Sequence, residues 1–328
     1  MARTYRSMML ASALIASLHL LVQAQVPSDD YPSRPITLMV PYSAGGPLDA
    51  MARQLAEGLS KELKQTVTVE NRTGAGGLLA FGALARAPAD GYLLGVWATP
   101  VTAISPLTQP SFPYDAVKSL TPVTDVVNYS LVLMANKQLP VSSLRELVAY
   151  AKQNPKAVSY GSSGIGGTNH LAGELLSRAA GAPMLHVPYK GNALATNDVI
   201  GGQISFLFDV PNTAASYANV GTLKALAITS AKRNPALPDV PTMAESGFPE
   251  VEVEGWYGVL APANLPAPVL RKLEAAIGKV KESPKFSEQM RAGGLVLTPT
   301  SSAAFGARIQ KERDFWKDVI TRLKIQLQ

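Results

Sequence analysis

Cysteine is absent from this chain of 328 residues. That excludes disulfide frameworks, zinc ribbons, iron–sulfur clusters and thiol nucleophiles. Histidine is scarce: there are three, and His19 lies in an N-terminal segment set aside below. The other two, His170 and His186, do not fit the H-E-x-x-H spacing of a zinc site, so no metal site is expected. Charged residues make up only 16% of the chain and apolar residues 47%, which excludes bulk disorder and allows a sizeable core. Lys and Arg outnumber Asp and Glu by 30 to 24 but never gather into a long basic run. That mildly basic surface suits small anions and gives no footprint for nucleic acid.

Long apolar runs are also missing, except one at the N-terminus. Arg3 and Arg6 precede the run from Met8 to Val22, which closes on Val22-Gln23-Ala24. A basic start, a short apolar core and small residues at the cleavage positions are the layout of a secretory signal peptide. Residues 1–24 are therefore expected to be removed near Ala24, leaving an exported chain in the periplasm. With no cysteine, a lipid anchor at the cleavage site is excluded.

The rest of the chain alternates strands and helices. Ile36 to Val40 is an apolar β-rich run between Pro35 and Pro41. Behind it, Leu48, Met51, Ala52, Leu55, Leu59 and Leu63 recur at helical spacing, with Pro47 suited to a first helical position. Strands are expected at 66–70, 92–97, 128–135, 158–160, 185–187, 204–208 and 223–229. Ser143 and Glu146 form a capping box, a helix is expected from about His170 to Ala180, and long helices return after Pro266 and after Ser301 or Ser302. This alternation indicates an α/β fold with parallel sheets.

Three glycine-rich loops each follow an expected strand and open a helix: 43–47, 74–77 and 161–167. A helix N-terminus presents backbone amides without intrahelical partners, and glycine lets an anion approach them closely. Such loops bind a carboxylate or phosphate without Lys or Arg. Nucleotide readings fail on spacing: there is no G-x-x-x-x-G-K-[ST], and neither Gly74-Ala75-Gly76 nor Gly164-Ile165-Gly166 completes G-x-G-x-x-G. Catalytic readings fare little better. Ser163 has Gly161 before it but Ile165 after it, so the nucleophile elbow G-x-S-x-G is incomplete. An exported hydrolase using Ser163 and His170 stays open as the alternative. Trp97, at a strand end, and Trp256-Tyr257 are candidates for apolar walls of a cleft, or for plain core.

Several strings, taken in order, resemble the substrate-binding proteins of tripartite tricarboxylate transporters, also called the Bug or TctC family. They include Tyr31-Pro32-Ser33-Arg34-Pro35, Val69-Glu70-Asn71-Arg72, Ala89-Asp90-Gly91-Tyr92, His170-Leu171-Ala172-Gly173-Glu174 and His186-Val187-Pro188-Tyr189-Lys190-Gly191. Gly201-Gly202-Gln203 and the stretch from Ala225 to Pro241 complete the set. The resemblance implies a two-lobed, type II periplasmic-binding-protein fold in which each lobe is a mainly parallel sheet flanked by helices. Lobe 1 would be 25–129 plus 254–328, and lobe 2 130–253. It further implies an interlobe cleft that closes by hinge motion on a small organic carboxylate. One carboxylate would be held by the loop Tyr42, Ser43, Ala44, Gly45 and Gly46 with Asp49. Ser162, Ser163, Gly164, Thr168, Asn169 and Asp209 would face it, with Trp97 and Thr99 counted in the site. No catalytic residue, metal or cofactor is implied. The partners would be membrane transporter subunits or, alternatively, a sensor kinase, with the protein a monomer.

Three positions depart from the family pattern P-[FY]-x-P-G-G-x-x-D and its context. Ala44 stands for the proline and Pro47-Leu48 for a small polar pair; Trp97 stands where a small residue is usual; Val210-Pro211-Asn212 follow Asp209 where Asn usually follows directly. An indole facing the cleft would favour an aromatic or apolar carboxylate.

Overall fold

The computed structural model describes residues 30–108, 113–115, 117–155, 157–298 and 301–323. The expected signal peptide, 1–24, lies outside the described residues. Among those described, no helix is long and apolar enough to cross a membrane.

The first unit is β1 (Ile36–Val40), α1 (Pro47–Leu63), β2 (Val67–Asn71), α2 (Leu78–Ala85) and β3 (Leu93–Ala98). β1 pairs in parallel with both β2 and β3, as a strand–helix–strand repeat requires. The helical stripe read from sequence is the buried face of α1: Leu48, Met51, Ala52, Leu55 and Leu59 are all enclosed. Beyond a π turn at Pro100–Ile104 the chain enters the long strand β4 (Leu120–Ser130).

The continuous apolar run 128–135 is two strands rather than one. β4 ends at Ser130 and β5 (Val132–Asn136) begins after a single residue, in a different sheet. Leu131 makes the crossing. Its N–H donates to Thr229 Oγ1 at 2.9 Å, and the same hydroxyl donates to the carbonyl of Val253 at 2.5 Å. Thr229 thus ties together the two places where the chain passes between sheets.

The second unit adds α3 (Leu144–Gln153), β6 (Ser159–Ser162), α4 (Thr168–Ala180), β7 (Leu185–Pro188), α5 (Asn192–Ile200), β8 (Phe206–Asp209), α6 (Pro211–Asn219) and β9 (Leu223–Ile228). The chain returns through β10 (Glu254–Pro262) and finishes with α7 (Ala267–Glu282), α8 (Pro284–Ala292), β11 (Val296–Leu297) and α9 (Ser302–Leu323). The six-stranded sheet has the order β11-β4-β10-β3-β1-β2, the five-stranded sheet β7-β6-β8-β5-β9. Both are mixed. β1 pairs in parallel with β2 and β3, and β6 with β7 and β8, whereas β10 runs antiparallel to β3 and β4, and β5 antiparallel to β8 and β9. The antiparallel members include the strands by which the chain leaves one sheet and re-enters it.

Three apolar clusters fill these layers. A shared one runs through both sheets, one lies between the first sheet and α2 and α9, and one lies under the second sheet.

Candidate functional site

The loops that follow parallel strands of the two sheets meet across a cleft. Tyr42, Ser43 and Gly46 follow β1, Ser163 and Thr168 follow β6, and Gly191 and Asn192 follow β7. This is the carboxyl end of parallel strands, where open α/β sheets form their binding crevices. Tyr129 and Tyr257, from the strands by which the chain leaves and re-enters the six-stranded sheet, line the cleft with Leu131, their rings 4.5 Å apart.

Four helices begin at this cleft, and none is capped by a side chain. Gly46 precedes α1, Gly167 precedes α4, Gly191 precedes α5 and Val210 precedes α6. By contrast, Ser143 at the start of α3 accepts the Glu146 N–H in the ordinary way. Four positive dipole ends therefore meet at one space, and the first turns of α1, α4 and α5 bring backbone amides to it; in α6 Pro211 has no N–H and the Asn212 N–H donates to the Gly293 carbonyl at 3.2 Å. No Lys or Arg is among the residues lining it; the ionisable acids there are Asp49 and Asp209. Such a site favours an anion through backbone donors alone.

Asp49 shapes the first loop and spends its oxygens doing so. Oδ2 accepts from the Gly45 N–H at 3.0 Å and Arg53 Nε at 2.9 Å; Oδ1 accepts from Asn71 Nδ2 at 2.9 Å and Arg53 at 3.0 Å. Burial alone would raise this carboxyl, but the bonds from Arg53, Gly45 and Asn71 outweigh it and hold the group below the usual range. Gly45 itself sits at φ +85°, a conformation that favours glycine.

On the facing side Asn169 organises the loop after β6. Its Oδ1 accepts from Ser163 Oγ at 3.2 Å and from the His170 N–H at 3.0 Å, and its Nδ2 donates to Asn192 Oδ1 at 2.5 Å. Asp209, at the end of β8, is buried and accepts the Val210 N–H at 2.8 Å. Burial pushes its carboxyl up to about 6, against the opposing bonds from Asn192 and Val210. Burial likewise keeps Tyr42, Tyr129 and Tyr257 neutral, well above the usual phenol range. Two contacts join the loops and strands of the two sheets across the cleft: Ser43 Oγ donates to the Lys190 carbonyl at 2.6 Å, and Tyr129 Oη and Thr168 Oγ1 lie 3.2 Å apart.

Of the residues expected in the site, Tyr42, Ser43, Gly46, Asp49, Ser163, Thr168, Asn169 and Asp209 line this cleft. Ala44 is exposed, Gly45 borders a neighbouring groove, and Gly164 lines an outer groove against the loop 73–77. Ser162 is fully buried, with its Oγ turned to Gly164 and His186.

Trp97 and Thr99 are placed elsewhere, which corrects the expected apolar wall. Side chains alternate along β3, so Ala98 faces the cleft while Trp97 points through the opposite face into the cluster with Met39, Phe81 and Phe305. Thr99 is enclosed, its Oγ1 accepting the Trp256 N–H at 2.9 Å. The apolar side of the cleft comes instead from Leu48, Leu131, Leu194 and Pro100, with Tyr129 and Tyr257. Tyr129 and Asn192 escaped the sequence reading. The only signal for Tyr129 was its place at the end of an apolar run.

A serine–histidine pair is not assembled at 163 and 170. Ser163 Oγ bonds Asn169, and His170 Nδ1 accepts the Gly166 N–H at 3.1 Å. Among the described residues no cluster of His, Asp or Glu could hold a metal ion.

Comparison with known proteins agrees with this geometry. Residues 51–325 match the model of the tripartite tricarboxylate transporter family receptor. Protein BugT of Bordetella pertussis is 37% identical over 306 residues, covering 91% of this chain and 92% of that one. The structure of the periplasmic binding protein BugD superposes with a TM-score of 0.85 at 36% identity, covering 91% of this chain and all (100%) of that chain. Rpa4515 of R. palustris, solved with adipate, gives 0.87 at 32% identity, covering 90% and 99%.

Proposed function

The chain belongs to the tripartite tricarboxylate transporter receptor family, whose members are periplasmic solute-binding proteins, and on that premise we propose that it captures a small organic carboxylate in the cleft between its two sheets. The observation that carries this reading is the convergence of four uncapped helix N-termini on a cleft lined without Lys or Arg. A relative of 32% identity holds adipate. One carboxylate sits at the amides of Gly46 and the first turn of α1, and the loops of Ser163, Thr168 and Asn169 close over it. Tyr129, Tyr257 and Leu131 meet the carbon skeleton.

Binding requires both sheets' loops, so ligand shifts the equilibrium toward the closed arrangement. The closed, loaded chain is what membrane transporter subunits receive. The N-terminal 24 residues direct export and are cleaved near Ala24. The chain acts as a receptor without turnover, and as a monomer, since it must open and close.

A thermal-shift screen of the chain lacking residues 1–24 tests the proposal, with mono- and dicarboxylates and their amides. A ligand at 100 times its Kd stabilises by about 2.7 kcal/mol, an easily seen shift. A shift with a carboxylate that disappears for its amide supports the reading. Equal shifts with carboxylate and amide, or none after stripping bound ligand by unfolding and refolding, would count against it.

A further inference from the structure

Against the loop 161–167, outside the lining of the cleft, two imidazoles stack. The rings of His170 and His186 are 4.0 Å apart and inclined by 24°. Tyr160 stacks on His186 at 5.0 Å, and Phe206 on Tyr160 at 5.6 Å. Each imidazole hydrogen-bonds the loop at a different point. His170 Nδ1 accepts the Gly166 N–H at 3.1 Å. His186 Nε2 lies 2.6 Å from Ser162 Oγ, which in turn lies 3.0 Å from the Gly164 carbonyl and 3.2 Å from the Gly164 N–H.

The chemistry of those contacts fixes the protonation of His170 and is met by one simple arrangement at His186. A nitrogen that accepts from an amide carries no proton, so His170 is neutral with its proton on Nε2. Ser162 has one proton; giving it to the Gly164 carbonyl leaves its lone pairs for the Gly164 N–H and a His186 Nε2–H. The polar atoms of Ser162 and Gly164 and the Gly166 N–H are then satisfied. Two imidazolium rings at this separation would repel, and both groups are held far toward the neutral form, chiefly by burial.

We propose that His170 and His186 are positioning residues that lock the loop 162–167 and so pre-organise Ser163 and Asn169 toward the cleft. Neither histidine lines the cleft, so the pair acts on a ligand only through the loop. Gly164 and Gly166 sit at φ +132° and +78°, so the loop's conformation is one that only glycine adopts readily, and the two imidazoles supply the bonds that hold it there. The inference rests on the cleft being the ligand site, and its test separates the two.

Two variants at one position distinguish a lock from simple packing. His170→Asn keeps an acceptor where Nδ1 stands; His170→Phe keeps a stacking ring and removes the acceptor. Hydrogen exchange of the segment 161–169 is measured in both, together with the affinity for adipate as probe. In His170→Phe the segment exchanges about tenfold faster, the rest of the chain is unchanged, and adipate binding weakens about tenfold. His170→Asn stays within about twofold of the wild type on both counts. Unchanged exchange in His170→Phe, or equal damage in both variants, overturns the proposal. Should His170→Phe fail to fold, His186→Gln and His186→Phe form the same contrast at Ser162. If the wild type does not bind adipate while the exchange pattern holds, the lock stands and the carboxylate assignment loses its support.

Discussion

Ser43 Oγ donates to the backbone carbonyl of Lys190 at 2.6 Å, joining residues 147 positions apart and closing the cleft from the side of α1. Gly191 makes the approach possible. Its φ is +139°, and a Cβ there would lie 3.1 Å from the same hydroxyl. Ser43→Ala is therefore expected to weaken ligand about fivefold, mainly through faster dissociation, because it removes a bond that forms only when the loops meet. Stopped-flow dissociation measures it. An unaltered off-rate would place the contact outside the closing motion.

Asp49→Asn puts an amide among donors from Gly45, Arg53 and Asn71, leaving at least one unpaired. The ion pair itself contributes little, since Arg53 is 52% exposed. The buried bonds to Gly45 and Asn71 matter more, and the expected loss is about 1–3 kcal/mol in urea unfolding, with weaker ligand binding. Full stability in this variant would remove Asp49 from its role as anchor of the first loop.

Stability depends on pH in two opposing ways. Burial pushes His170 down to about 3 and His186 to about 4, so between pH 6.5 and 4 the unfolded chain binds more protons there. Their contribution is complete above pH 6.5 and is lost as pH falls through that window. Asp209, raised to about 6, acts oppositely: its contribution is present below the ordinary carboxylate value and lost as pH rises through 6. The groups facing it are Asn192, Tyr129 and Tyr257, with no cation in the cleft lining. Two histidines outweigh one aspartate, so stability climbs from pH 4 to 6.5. Asp209→Asn should make that climb steeper and raise stability at pH 7 by about 1–3 kcal/mol. Chemical denaturation across pH checks both slopes, and a variant no more stable than wild type at pH 7 would contradict the assignment.

Trp97→Phe is expected to leave ligand affinity within about twofold. The indole is fully enclosed on the far face of β3, and its Nε1 lacks a hydrogen-bond partner. The smaller ring leaves a void, yet it also removes that orphaned donor, so stability should fall by only about 1–2 kcal/mol. A marked loss of affinity would mean that the far face of β3 is coupled to the cleft.

The strand β1 and the helix α1 were legible because prolines bound the strand and an apolar stripe marks the helix. Trp97 was not placed correctly, and the reason is physical. β3 is buried on both faces, so its run of apolar residues carries no alternation to say which side chain faces which way. The break at Leu131 was hidden in the same manner, within a run whose two halves are both buried. Helices α5 and α6 gave no sequence signal because Gly191 and Val210 stand where a Ser, Thr, Asp or Asn cap would announce a start. At α5 the missing cap that hid the helix also leaves its first turn without a side-chain partner at the cleft, whereas at α6 Pro211 has no N–H and the Asn212 N–H donates to the Gly293 carbonyl at 3.2 Å.

Calorimetric titration of one carboxylate against its primary amide tests the central claim most directly. The ligand would be the carboxylate giving the largest thermal shift, with titrations at low and high salt. Capture by backbone amides predicts binding of the carboxylate, a loss of at least about a hundredfold for the amide, and little change with salt, because the donors are fixed in the fold rather than carried on solvated side chains. Equal affinity for the amide, or binding abolished by salt, would contradict the account.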